Sequence, residues 1–218
     1  MNPLPPAWAD ALRLMLEVAA TLAFALSGVI EAARQRLDAV GVCVVAFAAA
    51  FGGGTVRDLL LDQRPFFWVR HVEFLWALMA LCALAIVFVR QRHLALTERA
   101  LLWPDALGLG LFTAIGVDLA LTLDQPPVVA VLMGVITSTF GGVIRDLLCN
   151  ELPRALSDHR PYALWSFAGG WLYVLLERVQ VAPWLVLTLT VTTTAGARLL
   201  SVYRDWQVPG WRRGDPAA

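Results

Sequence analysis

Seven apolar runs, most of them near the length of a membrane crossing, leave this chain few folds to choose from. At 1.5 Å per residue, about 20 helical residues span about 30 Å of hydrocarbon, where backbone polar groups find no water to satisfy them. The runs are bounded by Arg, Asp, Pro or Gln and fall at about residues 12–31, 38–61, 73–90, 101–122, 127–149, 161–178 and 182–201. With 59% hydrophobic and 16% charged residues over 218 positions, the chain carries more apolar length than a soluble core can use. The expected fold class is an all-α polytopic membrane protein, with residues 1–218 forming a single membrane domain.

Charge placement narrows the function. All 17 basic residues are arginines, and they stand between the apolar runs instead of forming a continuous basic face, so nucleic acid is not an expected partner. Assigned alternately to the two sides, the flanks carry twelve arginines on one side and five on the other. The arginine-rich side faces the cytoplasm, which places the C-terminus inside and, after seven crossings, the N-terminus outside. Cys43, Cys82 and Cys149 lie in or beside apolar runs with no C-x-x-C spacing and read as small buried hydrophobes. The first run has no basic leader and belongs to an internal repeat, so it reads as a retained helix and not a signal peptide.

That repeat is the second constraint. Adding 88 to the residue number carries Phe24 onto Phe112, Gly28 onto Gly116, Arg57-Asp58-Leu59-Leu60 onto Arg145-Asp146-Leu147-Leu148, Pro65 onto Pro153 and His71 onto His159. The first unit covers about residues 14–90 and the second about 101–178; a seventh helix, about 182–201, and a C-terminal tail, 202–218, stand outside. Three crossings per unit is an odd number, so the two copies have opposite orientations: an inverted 3+3 repeat plus one helix, an arrangement that recurs in transporters and pores.

Each unit closes its second run on the same phrase, Gly52-Gly53-Gly54 then Arg57-Asp58, and Gly141-Gly142 then Arg145-Asp146. Glycine costs about 1 kcal/mol against alanine inside a helix, so a kink or unwound turn is expected at both places. Freed backbone groups at membrane depth require protein or water beside them, which makes the five glycines candidate pore hinges. Neighbours at i and i+1 on a helix point in different directions, so Arg57, Asp58, Arg145 and Asp146 each need a partner elsewhere; Asp118, Glu17 and Glu73 are candidates. The competing reading makes the arginines interfacial anchors that snorkel to headgroups and the glycines simple packing contacts. Ser27, Thr113, Thr137, Ser138 and Thr139 are candidate pore-lining hydroxyls, with bonding back to their own helix carbonyls as the alternative.

No metalloprotease, nucleophile-elbow, Walker or dinucleotide-binding motif is present, and no metal or cofactor site is expected; the chain does not read as an enzyme. Seven runs grouped three, three and one, with a Gly-Gly-x-x-Arg-Asp phrase closing the second and the fifth, resemble the prokaryotic branch of the trimeric intracellular cation channel family. The same domain family is also labelled a glycine transporter. The resemblance covers about residues 14–200. It implies a homotrimer in the bacterial inner membrane, with one potassium-permeable pore per protomer between the second and fifth helices. Potassium or other monovalent cations and membrane lipid are the implied partners. Animal members carry Lys-Glu-Val where this chain reads Gly141-Gly142-Val143, and the phosphoinositide site tied to that triplet does not carry over. A secondary transporter for a small zwitterion such as glycine, with Arg57 or Arg145 holding its carboxylate, is the alternative that an inverted repeat equally supports.

Overall fold

The computed structural model describes residues 6–92, 98–157 and 159–208, and among these residues the chain forms nine helices and no strand. They are α1 (Pro6–Arg34), α2 (Ala39–Leu60), α3 (Phe67–Arg70), α4 (Glu73–Arg92), α5 (Glu98–Thr122), α6 (Pro127–Leu148), α7 (Arg154–Ser157), α8 (Ala163–Arg178) and α9 (Pro183–Tyr203). Every one of the seven apolar runs is helical. α1, α2, α5, α6 and α9 are long and apolar enough to cross a membrane, whereas α8 has 16 residues and α4 is apolar over Glu73–Val87. Residues 209–218, the distal part of the expected C-terminal tail with Arg212 and Arg213, lie outside the described residues.

Local chemistry sets the helix ends. The Asp38 carboxylate caps α2 by accepting from the Gly41 N–H at 2.7 Å, and Pro127 and Pro183 occupy first-turn positions of α6 and α9, where no N–H is needed. Six helices stop at a left-handed residue that is not glycine: Arg36, Asp62, Asp124, Asn150, Gln180 and Asp205, with φ between 50° and 58°. In each case the next N–H bonds back across the turn, as Gln63 does to the Asp58 carbonyl at 2.7 Å and Glu151 to that of Asp146 at 2.9 Å. Arg36 and Asp124, and Asp62 and Asn150, are partners at the 88-residue offset.

The offset also governs packing. A Cβ on Gly28 would lie 2.7 Å from the Ala46 Cα, and one on Gly116 would lie 2.8 Å from the Cα of Gly134, the counterpart of Ala46. α1 therefore meets α2 as α5 meets α6, through a glycine that lets two backbones approach. Between the units, counterparts touch each other: Phe24 stacks on Phe112 with ring centroids 5.5 Å apart. α9 has no counterpart and packs on α5 and α8, where Gly110 faces the Val191 carbonyl and Gly169 faces the Thr194 hydroxyl.

An L-residue in the left-handed region is disfavoured by about 1–2 kcal/mol, part of which glycine gives back through the entropy of its unfolded chain. Gln180→Gly, in the exposed turn between α8 and α9, is therefore expected to raise stability by up to about 1 kcal/mol in a detergent thermal-unfolding measurement.

Candidate functional site

α2 and α6 cross at the repeated glycines. A Cβ on Gly53 would overlap the Thr137 carbonyl oxygen, and one on Gly141 would overlap that of Ala49. The two contacts exchange under the offset, because Ala49 and Thr137 are counterparts just as Gly53 and Gly141 are. The pairs 49 with 141 and 53 with 137 also fix the crossing as antiparallel. The unwound turn expected at Gly52, Gly53 and Gly54 and at Gly141 and Gly142 does not form, and helical structure runs unbroken from Ala39 to Leu60 and from Pro127 to Leu148. Close approach explains why: the missing side chains make room for a neighbouring backbone, and both helices keep their own hydrogen bonds. Gly54 faces the Phe67 ring instead, and Gly142 lies near the Tyr162 hydroxyl.

One turn beyond the crossing, each helix presents its arginine and aspartate to the interior. Arg57 and Arg145 are both 1% exposed, so neither is a snorkelling anchor. The expectation that adjacent Arg and Asp cannot satisfy one another is corrected. Arg57 Nε donates to Asp58 Oδ1 at 2.9 Å, and Arg145 Nε donates to Asp146 Oδ1 at 2.8 Å. The long arginine side chain curls round to reach a carboxylate that cannot turn away, because its second oxygen is tied down. Asp58 Oδ2 accepts from the Phe67 N–H at 2.8 Å and Asp146 Oδ2 from the Arg154 N–H at 2.9 Å, at the starts of α3 and α7. Each aspartate thus pins the return segment to the helix that precedes it.

A second carboxylate completes each cluster. Arg57 Nη2 lies 3.3 Å from Glu17 Oε1, and Arg145 Nη1 lies 2.6 Å from Asp105 Oδ1. Of the three candidate counter-charges, Glu17 meets a repeated arginine, whereas Asp118 pairs with Arg13 at 2.6 Å and Glu73 with His71 at 2.9 Å. Asp105 escaped the sequence reading although the offset itself carries Glu17 onto it. Also missed were Glu31, which holds Arg34 at 3.0 Å and Arg154 at 2.9 Å, and Ser166.

The candidate hydroxyls are all buried. Ser27 accepts from Arg145 Nη1, and Thr113, Ser166 and Ser138 form a chain with oxygens 2.7 and 2.8 Å apart across α5, α8 and α6. Thr137 and Thr139 donate to the Met133 and Val135 carbonyls at 2.6 and 2.7 Å within their own helix. At the offset, Thr113 and Ser138 correspond to Ala25 and Ala50 in the apolar core of the first unit, so the hydroxyl chain belongs to the second unit.

The two ends differ as well. Beside Arg57 lies a cavity of about 200 Å³ walled by residues that include Arg13, Glu17, Arg70 and Asp118. At the Arg145 end the buried Tyr162 ring carries the Arg198 guanidinium 4.8 Å from its centroid. The segment after α9 closes over this end: the Val208 N–H donates to the His159 carbonyl at 2.6 Å, and Arg160 pairs with Asp205 at 2.8 Å.

Comparison with known proteins agrees with this layout. The family model described as "Glycine transporter" matches residues 14–92 and 102–178, the two units. The UPF0126 inner membrane protein YadS of Escherichia coli K12 is 44% identical over 155 residues, covering 71% of this chain and 74% of that protein. A UPF0126 membrane protein of Deinococcus radiodurans is 37% identical over 191 residues, covering 88% and 85%. A Vibrio cholerae UPF0126 membrane protein is 41% identical over 160 residues, 72% of this chain but only 64% of the relative's length. Among solved structures, a TRIC trimeric intracellular cation channel orthologue from Rhodobacter sphaeroides superposes with a TM-score of 0.83 at 31% identity, covering 89% of this chain and 98% of the other. A structure that addresses conductance through TRIC cation channels superposes with a TM-score of 0.80 at 32% identity, covering 94% and 98%.

The crossing makes a direct test. Gly53→Ala and Gly141→Ala each force a methyl against a backbone oxygen and should cost about 1–3 kcal/mol or more. Gly196→Ala, where nothing lies within 4 Å, should be neutral or slightly stabilising through helix propensity. Thermal unfolding of the three variants in one detergent checks the contrast.

Proposed function

The chain belongs to the trimeric intracellular cation channel family, which is also described as the glycine transporter family, and from that premise we propose that it is a potassium-permeable cation channel. It assembles as a homotrimer in the bacterial inner membrane, with one pore in each protomer. Its seven crossings form an inverted 3+3 repeat plus α9, with the N-terminus outside and the C-terminus in the cytoplasm. The recurrence of contacts at the 88-residue offset and the antiparallel, exchanged contacts of α2 and α6 support the inverted repeat, because a two-fold relation makes counterparts touch.

The observation that carries the ion reading is the composition of the two buried clusters. Each holds one guanidinium between two carboxylates, Arg57 with Glu17 and Asp58, and Arg145 with Asp105 and Asp146. An arginine alone repels cations; with two carboxylates the cluster carries one negative charge more than positive and favours them. Permeation follows the space beside the α2 and α6 crossing. Hydroxyls of Thr113, Ser138 and Ser166 and backbone oxygens replace part of the ion's hydration shell. Gly53 and Gly141, where backbone meets backbone, act as the hinge on which α2 and α6 shift, with Gly52, Gly54 and Gly142 flanking it.

In this reading the Arg145 end is the gate. Arg145 is latched by Ser27 and Asp105, and conduction requires the latch to release. A carrier for a small zwitterion such as glycine is the second reading, favoured by one feature: the cavity beside Arg57 is walled by both guanidinium and carboxylate groups, the complements of a zwitterion's two ends.

Single-channel recording from purified protein in planar bilayers tests the proposal. Unitary potassium currents are expected. Ser27→Ala removes one acceptor of a charged donor, about 1.5–3 kcal/mol of latch, and should raise open probability about tenfold or more. Silence across voltages and potassium concentrations, together with saturable glycine uptake into proteoliposomes, would replace the channel with the carrier.

A further inference from the structure

The expectation that every cysteine is a small buried hydrophobe holds for Cys82 and Cys149 and fails for Cys43, which is exposed. Four residues of rise put Cys43 about 6 Å along α2 from Ala39, one turn beyond the capping carboxylate of Asp38. Cys82 lies midway along α4, in one core cluster with Val42, Val45 and Ala46 of α2. The two cysteines therefore flank the same seam, one from its open edge and one from its interior.

The 88-residue offset shows how closely these two positions approach. It carries Phe74, Leu78 and Cys82 of α4 onto Tyr162, Ser166 and Gly170, and every one of these residues is buried. Cys43 is carried onto Val131. In the second unit a Cβ on Gly170 would lie 3.0 Å from Val131 Cγ1 and 3.5 Å from Val131 Cα, so position 170 stands directly against position 131. The first unit places two thiols in the same relation, and the Cys43 and Cys82 side chains interact across the seam. A disulfide needs Cβ atoms about 3.5–4.5 Å apart, a separation that side chains in direct contact can reach. α4 packs on α1 and α2, and a groove of about 420 Å³ whose walls include Asp38, Val42, Ala85 and Ile86 runs along the junction of the three helices. Val42 adjoins Cys43 and Ala85 follows Cys82 by one turn, so the groove gives a small apolar reagent a route to the pair.

We propose that Cys43 and Cys82 form a modification site, a dithiol that low-molecular-weight disulfides convert into a cross-link between α2 and α4. Cys43, as thiolate, attacks one sulfur of the reagent, forming a mixed disulfide and releasing the first reagent thiolate. Cys82 then gives up its proton and attacks the Cys43 sulfur, so the Cys43–Cys82 bond forms as the second reagent thiolate leaves. Both cysteines are oxidised, the reagent disulfide is reduced to two thiols, and the protons lost by the cysteines end on the leaving thiolates. The proposal rests on neither the channel nor the carrier reading, because its product is a covalent bond measured without flux.

Treating the folded chain in detergent with an equimolar amount of dithiodipyridine, an apolar aromatic disulfide, then quenching in acid and mapping unreduced peptides by mass spectrometry, is the test. The peptides carrying Cys43 and Cys82 are expected as one linked species, at least about tenfold more abundant than either linkage to Cys149. Unfolding the chain in SDS before treatment should reduce that preference to about two- to fivefold, the bias that loop length alone provides. Cys82→Ala removes the resolving thiol and should leave Cys43 as a stable mixed disulfide. Cys43→Ala should leave the buried Cys82 at least about tenfold less reactive than Cys43. Absence of the linked species, a preference no greater than in the unfolded chain, or Cys82 reacting as fast without Cys43 would overturn the proposal.

Discussion

Backbone meets backbone where α2 crosses α6, and the rest of the molecule is arranged around that approach. Gly53 against the Thr137 carbonyl and Gly141 against the Ala49 carbonyl leave no space for even a methyl group. In hydrocarbon there is no hydrophobic drive to bring helices together, so close van der Waals contact through small residues has to do it. That contact sets the height at which the next turn of each helix delivers its arginine, and it brings both arginines inside the bundle instead of to its surface.

Burying two guanidinium groups imposes its own order. Desolvation on this scale is tolerated only with carboxylates at hydrogen-bonding distance, and each arginine has two. One of them, Asp58 or Asp146, also holds the first N–H of the following short helix, so the charge cluster and the path of the chain after α2 and α6 are parts of one network. Losing that aspartate would leave the arginine with one carboxylate in place of two and a backbone donor unsatisfied.

Much of this was legible in the sequence because periodicity and repetition are additive signals. Apolar length marks all seven apolar helices, five of them long enough to cross a membrane, and the 88-residue offset marks the glycines, the arginines and the pair Phe24 and Phe112. The same signals fell short where the outcome depended on three dimensions. Glycine runs read as weak points in a helix, yet the crossing at Gly53 and Gly141 turned the lost propensity into contact and kept both helices whole. Helix geometry alone sets adjacent Arg57 and Asp58 apart; what lets them pair is the return segment beyond the helix end, whose Phe67 N–H fixes the aspartate. Asp105 is the counterpart of Glu17 at the same offset, but it stands one residue after Pro104 in a stretch with no motif of its own. Tyr162 and Arg198 gave no sequence signal, since they reach the Arg145 cluster from α8 and from the helix that was never duplicated.

That unduplicated helix has a consequence for the whole assembly. Two fused copies of one ancestor would give a body with interchangeable faces, indifferent to which side a solute or a voltage came from. By adding Arg198 and the segment through Val208 to the end that holds Arg145, α9 makes the surroundings of the two repeated arginines chemically distinct. Among the described residues, chain from beyond the repeat thus covers the Arg145 end through the Val208–His159 bond and the Arg160–Asp205 pair, while at the other end a cavity borders Arg57.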